Sequence, residues 1–353
     1  MFHAEWDLDR LIASAVEERA SDVHFESEAD GIRVRFRIDG LLRVKEVIPK
    51  ASANQTLNRI KVLSGMDIGE KRLPQDGRWI WEHGRVRVAM RTSILPSAYG
   101  ETAVCRMPGN EGHAKSLAEL GMDAETAARV EALMHRPHGL FTVCGPTGSG
   151  KTATLYAMLR LLNLRETSLV TLEQPIEAEI ADAVQVEIRP KTGLTFASGL
   201  RAVLRQDPDT IMVGEIRDSE TAQLAVQAAL TGHRVLSTIH TNSAAGVLER
   251  LVDMGVERYL VEAVLNGALS QRLYRTVVPD GGNEDGDATR YAGRRALFEL
   301  LVMPTEGADF SDPKRYLVRT MRASALEALR DGLTTTEELR RIGMNVECEE
   351  GVQ

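Results

Sequence analysis

The sequence predicts an α/β protein of two domains, and three observations carry that expectation. Residues 140–144 are apolar, Gly145-Pro146-Thr147-Gly148-Ser149-Gly150-Lys151-Thr152 follows, and residues 153–159 favour a helix, giving a strand, a glycine-rich loop and a helix in succession. Beyond this loop, strand-like segments at 168–172, 184–188, 210–213 and 234–239 alternate with helical stretches, the mark of a parallel sheet covered on both faces. The chain has 353 residues, more than one ordinary core holds, and the loop starts only at residue 145, which leaves room for a complete domain ahead of it.

The pattern Gly-x4-Gly-Lys-Thr suits a chain of phosphates. Its glycines let backbone N–H groups curl around the anion, and a side chain there would block either the approach or the positive-φ turns. Lys151 is expected on the β- and γ-phosphates, and Thr152 is expected to place its hydroxyl on Mg²⁺. The following helix aims its N-terminal N–H groups and positive dipole end at the same anion. A glycine-rich turn that binds nothing is the bland alternative, and it would not need the flanking strand and helix.

Composition narrows the class. Hydrophobic residues make up 43% and charged ones 27%, as in a soluble globular protein, and no apolar run approaches the roughly 20 residues that span a bilayer. The start, Met1-Phe2-His3-Ala4-Glu5-Trp6-Asp7, lacks the basic and apolar regions of a signal peptide, so a cytoplasmic location is expected. Cys105, Cys144 and Cys348 form neither a disulfide framework nor a Cys-x-x-Cys pair, so reduced, structural cysteines are expected and a zinc site is not. A net charge of -8 argues against a motor that tracks nucleic acid.

In chain order, residues 7–19 carry Leu8, Leu11, Ile12, Ala15 and Val16 at helical spacing behind a possible Asp7 cap. Residues 21–26 alternate as a half-buried strand. Residues 31–38 and 41–47 form a hairpin across Asp39-Gly40, with one apolar and one basic face; such a charge row is most often a solvated face. A helix after Pro49, two strands joined across His83-Gly84 and a further strand at 101–107 complete an α+β first domain, residues 1–107. Residues 108–122 are expected as linker, with 108–113 as its polar hinge. Residues 123–278 form the nucleotide-binding core, and 279–353 an acidic loop and a small helical end piece.

Three segments offer groups for phosphoanhydride hydrolysis, which needs charge neutralisation, a metal, a water-orienting group and a positive group near the γ-phosphate. Residues 169–172 end in Glu173, at the strand edge where such folds bind ligands, and Glu173 is expected to orient or polarise water. Residues 211–213 lead to Glu215, expected in the Mg²⁺ hydration shell. A third strand is bracketed by His233 and His240. A lone histidine is more often structural, yet one that closes a parallel strand can sense the γ-phosphate.

The order Ser21-Asp22-Val23-His24-Phe25-Glu26, Arg37-Ile38-Asp39-Gly40, Leu73-Pro74-Gln75-Asp76-Gly77-Arg78, the phosphate loop, Glu173-Gln174-Pro175, Arg205-Gln206-Asp207-Pro208-Asp209, Val213-Gly214-Glu215-Ile216-Arg217-Asp218 and Leu230-Thr231-Gly232-His233 through Ser237-Thr238-Ile239-His240-Thr241 resembles the type II secretion and type IV pilus assembly ATPases. The resemblance spans residues 20 to about 340. It implies a PAS-like α+β first domain, a RecA-like P-loop ATPase domain and a small helical C-terminal piece. It further implies a homohexameric motor using ATP and Mg²⁺, with ATP between the two domains. By the same resemblance Glu173 is the water-activating Asp-box glutamate, Glu215 the Walker B acid, and His233 and His240 the His-box pair. Arg78, Arg91 and Arg106 match first-domain arginines that close on phosphate; for any one of them a surface or ion-paired role is the alternative. The implied partners are an inner-membrane platform protein and pilin or pseudopilin machinery, which places the protein peripherally at the inner face of the cell membrane.

The sequence departs from the family pattern at Gln174, where an Asp is usual, and at the acidic segment that stands where paired Cys-x-x-Cys motifs are often found. It also opens without the long domain that precedes the first helix in many relatives. The leading reading is an ATPase for pilin or pseudopilin polymerisation. A pilus-retraction ATPase of the same superfamily is the alternative, and a RecA-like nucleic-acid motor or a silent scaffold is further away.

Overall fold

The computed structural model describes residues 7–107, 116–162, 164–278 and 290–346, and the chain divides into two compact units, Met1–Glu111 and Gly112–Gln353. The hinge expected at 108–113, the acidic segment at 279–289 and Cys348 lie outside the described residues.

In the first unit, helix α1 (Leu8–Glu17) begins at Asp7, whose carboxylate accepts the Asp9 N–H as an N-cap, and buries Leu8, Leu11, Ile12 and Ala15 on one stripe. Strands β1 (Asp22–Glu28), β2 (Gly31–Ile38) and β3 (Leu41–Pro49) are followed by helix α2 (Lys50–Leu63), and then by β4 (Gln75–His83), β5 (Val86–Ser97) and β6 (Gly100–Arg106). They form a six-stranded sheet in the order β3-β2-β1-β6-β5-β4, antiparallel at every junction, so the first and last strands meet at its centre. Alternation sets the two faces: Ile32, Val34, Phe36 and Ile38 of β2 are buried with Val23, Phe25, Trp79, Trp81, Met90 and Ile94, while the residues between them point the other way.

The basic row read from β2 does not stand alone. Antiparallel register sets Arg33, Arg35 and Arg37 opposite Glu26, His24 and Asp22 of β1, and the guanidiniums of Arg35 and Arg37 pair with Glu26 and Asp22. Arg33 reaches Glu28 at 2.8 Å. Sequence alternation shows which residues share a face but not which strand brings the counter-charge.

The second unit starts earlier than expected. Residues 116–122, read as linker, are part of it: Leu117 and Met122 are buried in its core, and Ala296 N–H donates to the Leu120 carbonyl. Helix α3 (Ala124–Met134), capped by Asp123, leads into β7 (Gly139–Cys144) and α4 (Lys151–Leu159). Next come β8 (Leu169–Glu173), β9 (Val184–Glu187), α5 (Phe196–Val203), β10 (Thr210–Ile216), α6 (Ser219–Leu230), β11 (Arg234–Ile239), α7 (Val247–Asp253), α8 (Arg258–Val264) and β12 (Leu265–Val277). Strand β13 (Tyr291–Val302), β14 (Leu317–Arg319) and helices α9 (Met321–Arg330) and α10 (Thr336–Arg341) complete the described unit.

These strands make one eight-stranded sheet, β14-β13-β12-β7-β11-β10-β8-β9. From β12 to β9 every neighbour pair is parallel; β13 and β14 are added antiparallel at one edge. Successive residues divide between two cores. Leu140, Val170, Leu172, Ile211, Val213 and Val235 face the side of α5, α6 and α7, whereas Phe141, Val143, Leu169, Met212 and Leu236 face the side of α4. The expected parallel sheet is therefore present, but the region read as a helical end piece contributes β13 and β14 to it. The miss has a physical cause. In β13, Ala296, Leu297, Phe298, Leu300 and Leu301 are buried in a nearly unbroken apolar run, which periodicity alone does not tell from a buried helix.

The last helix, α10, is tied to β12 by charge. Arg275 Nη2 lies 2.8 Å from Glu338 Oε2, the Arg275 N–H donates to Glu338 Oε1 at 2.9 Å, and Arg341 closes on the same carboxylate at 2.6 Å. Both Arg275 and Glu338 are buried. Burial pushes the Glu338 carboxyl up, but the hydrogen bonds from Arg341 and Arg275 prevail and hold it below the usual range. A depressed folded value means that its contribution is present above the unfolded value of about 4.3 and is lost as pH falls through the folded value. Glu338→Ala, which removes the carboxylate on which Arg341 and the buried Arg275 converge, is expected to cost about 3–5 kcal/mol near neutral pH, with the deficit against the parent shrinking below about pH 4. Urea unfolding of both chains across pH 3–8 measures this; a difference independent of pH would show that the carboxylate's charge is not involved.

Candidate nucleotide site

The phosphate loop leaves β7 at its C-terminal end and runs into α4. Gly150, at φ 85°, is the N-cap residue, and Gly145 and Gly148 also have positive φ, at 142° and 76°. A Cβ on Gly145 would stand 2.4 Å from the Gln271 carbonyl oxygen and 2.8 Å from Ser149 Oγ, so this glycine is required by space as well as by conformation. The Ser149 hydroxyl is buried without a hydrogen-bond partner among the described residues. Lys151 is 9% exposed and its ammonium donates to the Gly145 and Pro146 carbonyls at 3.0 and 2.9 Å. Burial lowers its proton affinity, against the pull of Cys144 and Glu215. A buried cation held, among the described residues, by carbonyls, together with an orphaned hydroxyl and a helix N-terminus, fits a polyphosphate. Thr152 occupies the second position of α4.

Gln271 of β12 was not singled out by the sequence, yet it braces the loop. Register places Ser270 beside Cys144, and the next residue, Gln271, donates from Nε2 to the Ser149 carbonyl at 2.5 Å while its Oε1 accepts from Thr154 at 2.7 Å. Cys144, at the foot of the loop, is buried, and burial pushes its thiol up to about 11, so it is a packing residue at neutral pH.

The parallel strands bring three expected residues to the same edge as the loop. Glu215 and His240 belong together: His240 Nε2 is 4.0 Å from Glu215 Oε2, which also meets Arg217 Nε at 2.6 Å. Burial, together with the Lys151 ammonium, outweighs Glu215 and holds the His240 imidazole below its ordinary value, so it is neutral at pH 7. Glu173 ends β8 and is 3% exposed. Its Oε1 accepts from Thr171 at 2.6 Å and Gln185 at 3.0 Å, and its Oε2 accepts from the Tyr156 hydroxyl.

His233 does not join them. It precedes β11 whereas His240 follows it, so a whole strand, roughly 20 Å, separates the two. At its own end His233 bonds the Ala228 carbonyl through Nδ1 at 2.9 Å and faces Thr231 Oγ1 at 3.1 Å. Strand polarity decides this: residues bracketing a strand in sequence are at opposite edges in space.

In the first unit, Arg78, Arg91 and Arg106 are in register across β4, β5 and β6. The same row continues to Asp22 of β1 and Arg37 of β2. Asp22, buried, meets Arg106 Nε at 3.0 Å and Arg37 Nε at 3.6 Å. The row therefore sets four guanidiniums, those of Arg37, Arg106, Arg91 and Arg78, beside the Asp22 carboxylate on neighbouring strands. Register across strands 13 or more residues apart is what sequence reading could not supply; it hid that Asp22 and Arg37 belong to the same row.

Among the described residues, no helix is long and apolar enough to cross a membrane, and no cluster of three His, Cys, Asp or Glu could hold a metal ion. Comparison with known proteins gives the family. The family model for type II/IV secretion system proteins matches residues 3–341. The type II secretion system protein E of Dickeya dadantii is 41% identical over 371 residues, covering 95% of this chain and 74% of its own. The type IV pilus assembly ATPase PilB of Thermus thermophilus is 39% identical over 371 residues, covering 94% of this chain and 42% of its own. Among solved structures, the pilus retraction motor PilT with bound ADP is similar at 28% identity and a TM-score of 0.70, over 96% of this chain and 97% of its own. With a glycine loop, a buried lysine and two carboxylates at one sheet edge, and with these matches along nearly its whole described length, the chain belongs to the type II/IV secretion system protein family.

Proposed function

We propose that this chain is an ATP hydrolase that drives pilin or pseudopilin polymerisation, as in type II secretion and type IV pilus assembly. The observation that carries it is the placement of Lys151, Glu215 and His240 around one phosphate loop, in a chain 41% identical to a type II secretion system protein E. Lys151 and the loop N–H groups bind the β- and γ-phosphates of ATP. Thr152 and Glu215 are the residues that would hold Mg²⁺, which neutralises phosphate charge when bound. Glu173 orients the attacking water, and His240, neutral, donates or accepts at the γ-phosphate edge. His233, at the far strand end, is a structural residue of the β11 turn in this reading. The greater identity to type II secretion protein E than to the retraction motor favours assembly over retraction.

The first unit is PAS-like in this reading, on the support of its antiparallel order with first and last strands central. Its row of Arg78, Arg91 and Arg106 supplies positive charge to ATP phosphate during turnover. The working form is a homohexamer in the cytoplasm, held at the inner face of the membrane by a platform protein. Turnover then depends on assembly, and the ATPase rate per subunit is expected to rise with protein concentration until rings form. Arg91→Ala is expected to lower the plateau rate about 10²-fold or more, the scale of losing one preorganised donor to developing charge. A dilution series of both proteins, with mass measured at each concentration, tests this. A constant rate per subunit in a monomer would remove the assembly requirement, and full activity in Arg78, Arg91 and Arg106 variants alike would remove the arginine role.

A further inference from the structure

Both oxygens of Glu173 are taken up by neutral donors, and the donors differ in origin. Thr171 lies two residues earlier on β8, and Gln185 is its register partner on β9, so both belong to the sheet and both bond Oε1. Among the described residues Tyr156 alone reaches Oε2, and it comes from α4, the helix whose first residue is Lys151. The phenol oxygen also receives the Ala178 N–H at 3.4 Å and has the Ala178 carbonyl 3.3 Å away as a second acceptor, but the carboxylate is the nearer and the charged one and takes its single proton. A carboxylate offers about four acceptor positions. Two on Oε1 and one on Oε2 are filled, and the fourth, on Oε2, is the one left to take a proton from water.

We propose that Tyr156 is the positioning residue of the ATPase, its hydroxyl fixing Oε2 of Glu173 so that the remaining lone pair of that oxygen is directed to the attacking water. This rests on the reading of Glu173 as the water-orienting group. Because Tyr156 and the phosphate-binding Lys151 share one short helix, the arrangement ties the direction of the base to the element that holds the phosphates. The hydroxyl's own chemistry agrees: burial and the neighbouring carboxylate push Tyr156 ionisation well above the ordinary tyrosine value, so it remains a donor throughout the working pH range.

Tyr156→Phe removes one oxygen and keeps the ring. It is expected to lower kcat about tenfold or more, with KM for ATP and the Kd of a non-hydrolysed ATP analogue unchanged within twofold. In the double variant with Glu173→Gln, the rate should equal that of Glu173→Gln alone, because a hydroxyl that acts only through the carboxylate has nothing left to position. Incorporating fluorotyrosines of graded acidity at position 156 provides the same test without altering the packing, and kcat should vary with phenol acidity. Unchanged kcat in Tyr156→Phe, a loss shared equally by KM, additive losses in the double variant, or a flat fluorotyrosine series would each overturn the proposal. Glu173→Gln at full turnover would instead overturn the reading beneath it, so the two failures are distinguishable.

Discussion

Lys151→Ala is expected to lower ATP turnover by at least about 10²–10³-fold, the scale of removing one preorganised charged donor from a transition state. Nucleotide affinity should fall with it, because the same ammonium serves the bound phosphates before any bond breaks. The fold should survive. Lys151 opens α4, where alanine is the better helix former, and its hydrogen bonds go only to the Gly145 and Pro146 carbonyls of the loop. No buried carboxylate loses its counter-ion, since Glu215 keeps Arg217 at 2.6 Å. Turnover, analogue binding and thermal unfolding measured on the same preparation decide the matter. Undiminished turnover would remove the loop from the chemistry, and a drop of more than about 8 °C in Tm would mean that the lysine is a structural residue.

What could be read from the sequence, and what could not, follows the range of the interactions. The phosphate loop is a local object: its glycines, Lys151 and the strand and helix on either side lie within 21 residues, and each was recognised. The carboxylates were legible for a related reason, because parallel strands all end at one edge and an acid after an apolar run marks that edge. His233 shows the limit of this logic, since the same rule that brings His240 to the loop sends the residue before β11 to the opposite edge. Three other features depend on pairing between distant segments. Gln271 meets the loop only because β12 lies parallel to β7. The row from Arg78 to Arg37 exists only because β6 pairs with β1. Tyr156 reaches Glu173 only because α4 crosses the face of β8 on which Thr171 and Glu173 also lie. In each case residue type was visible, and register, which needs the whole sheet, was not.

Glu173→Gln should separate binding from chemistry. Lys151 and the loop N–H groups are untouched by the change, so the Kd of an ATP analogue is expected to stay within about threefold of the parent. Turnover should fall about 10²–10⁴-fold, the range for loss of a positioned proton acceptor. The substitution is nearly isosteric but not neutral, because three donors converge on the carboxylate and an amide offers only one acceptor oxygen. The Tyr156 and Thr171 hydroxyls can rotate to accept from the new NH₂ group, while the Gln185 amide, held by the Ile180 N–H and the Ala178 carbonyl, keeps donating to the remaining oxygen. At most one donor is then stranded, at a cost of about 1–3 kcal/mol of stability. That cost would lower Tm without lowering kcat at temperatures below the transition, so a rate loss with intact binding at 25 °C is attributable to the missing carboxylate. Lys151→Ala and Glu173→Gln should consequently differ in kind: the first loses affinity and rate together, the second rate alone. If both variants lose analogue binding to the same extent, Glu173 belongs to the phosphate cradle and the water must be oriented by another group at this edge, for which Glu215, 4.0 Å from His240, would be the next residue to replace.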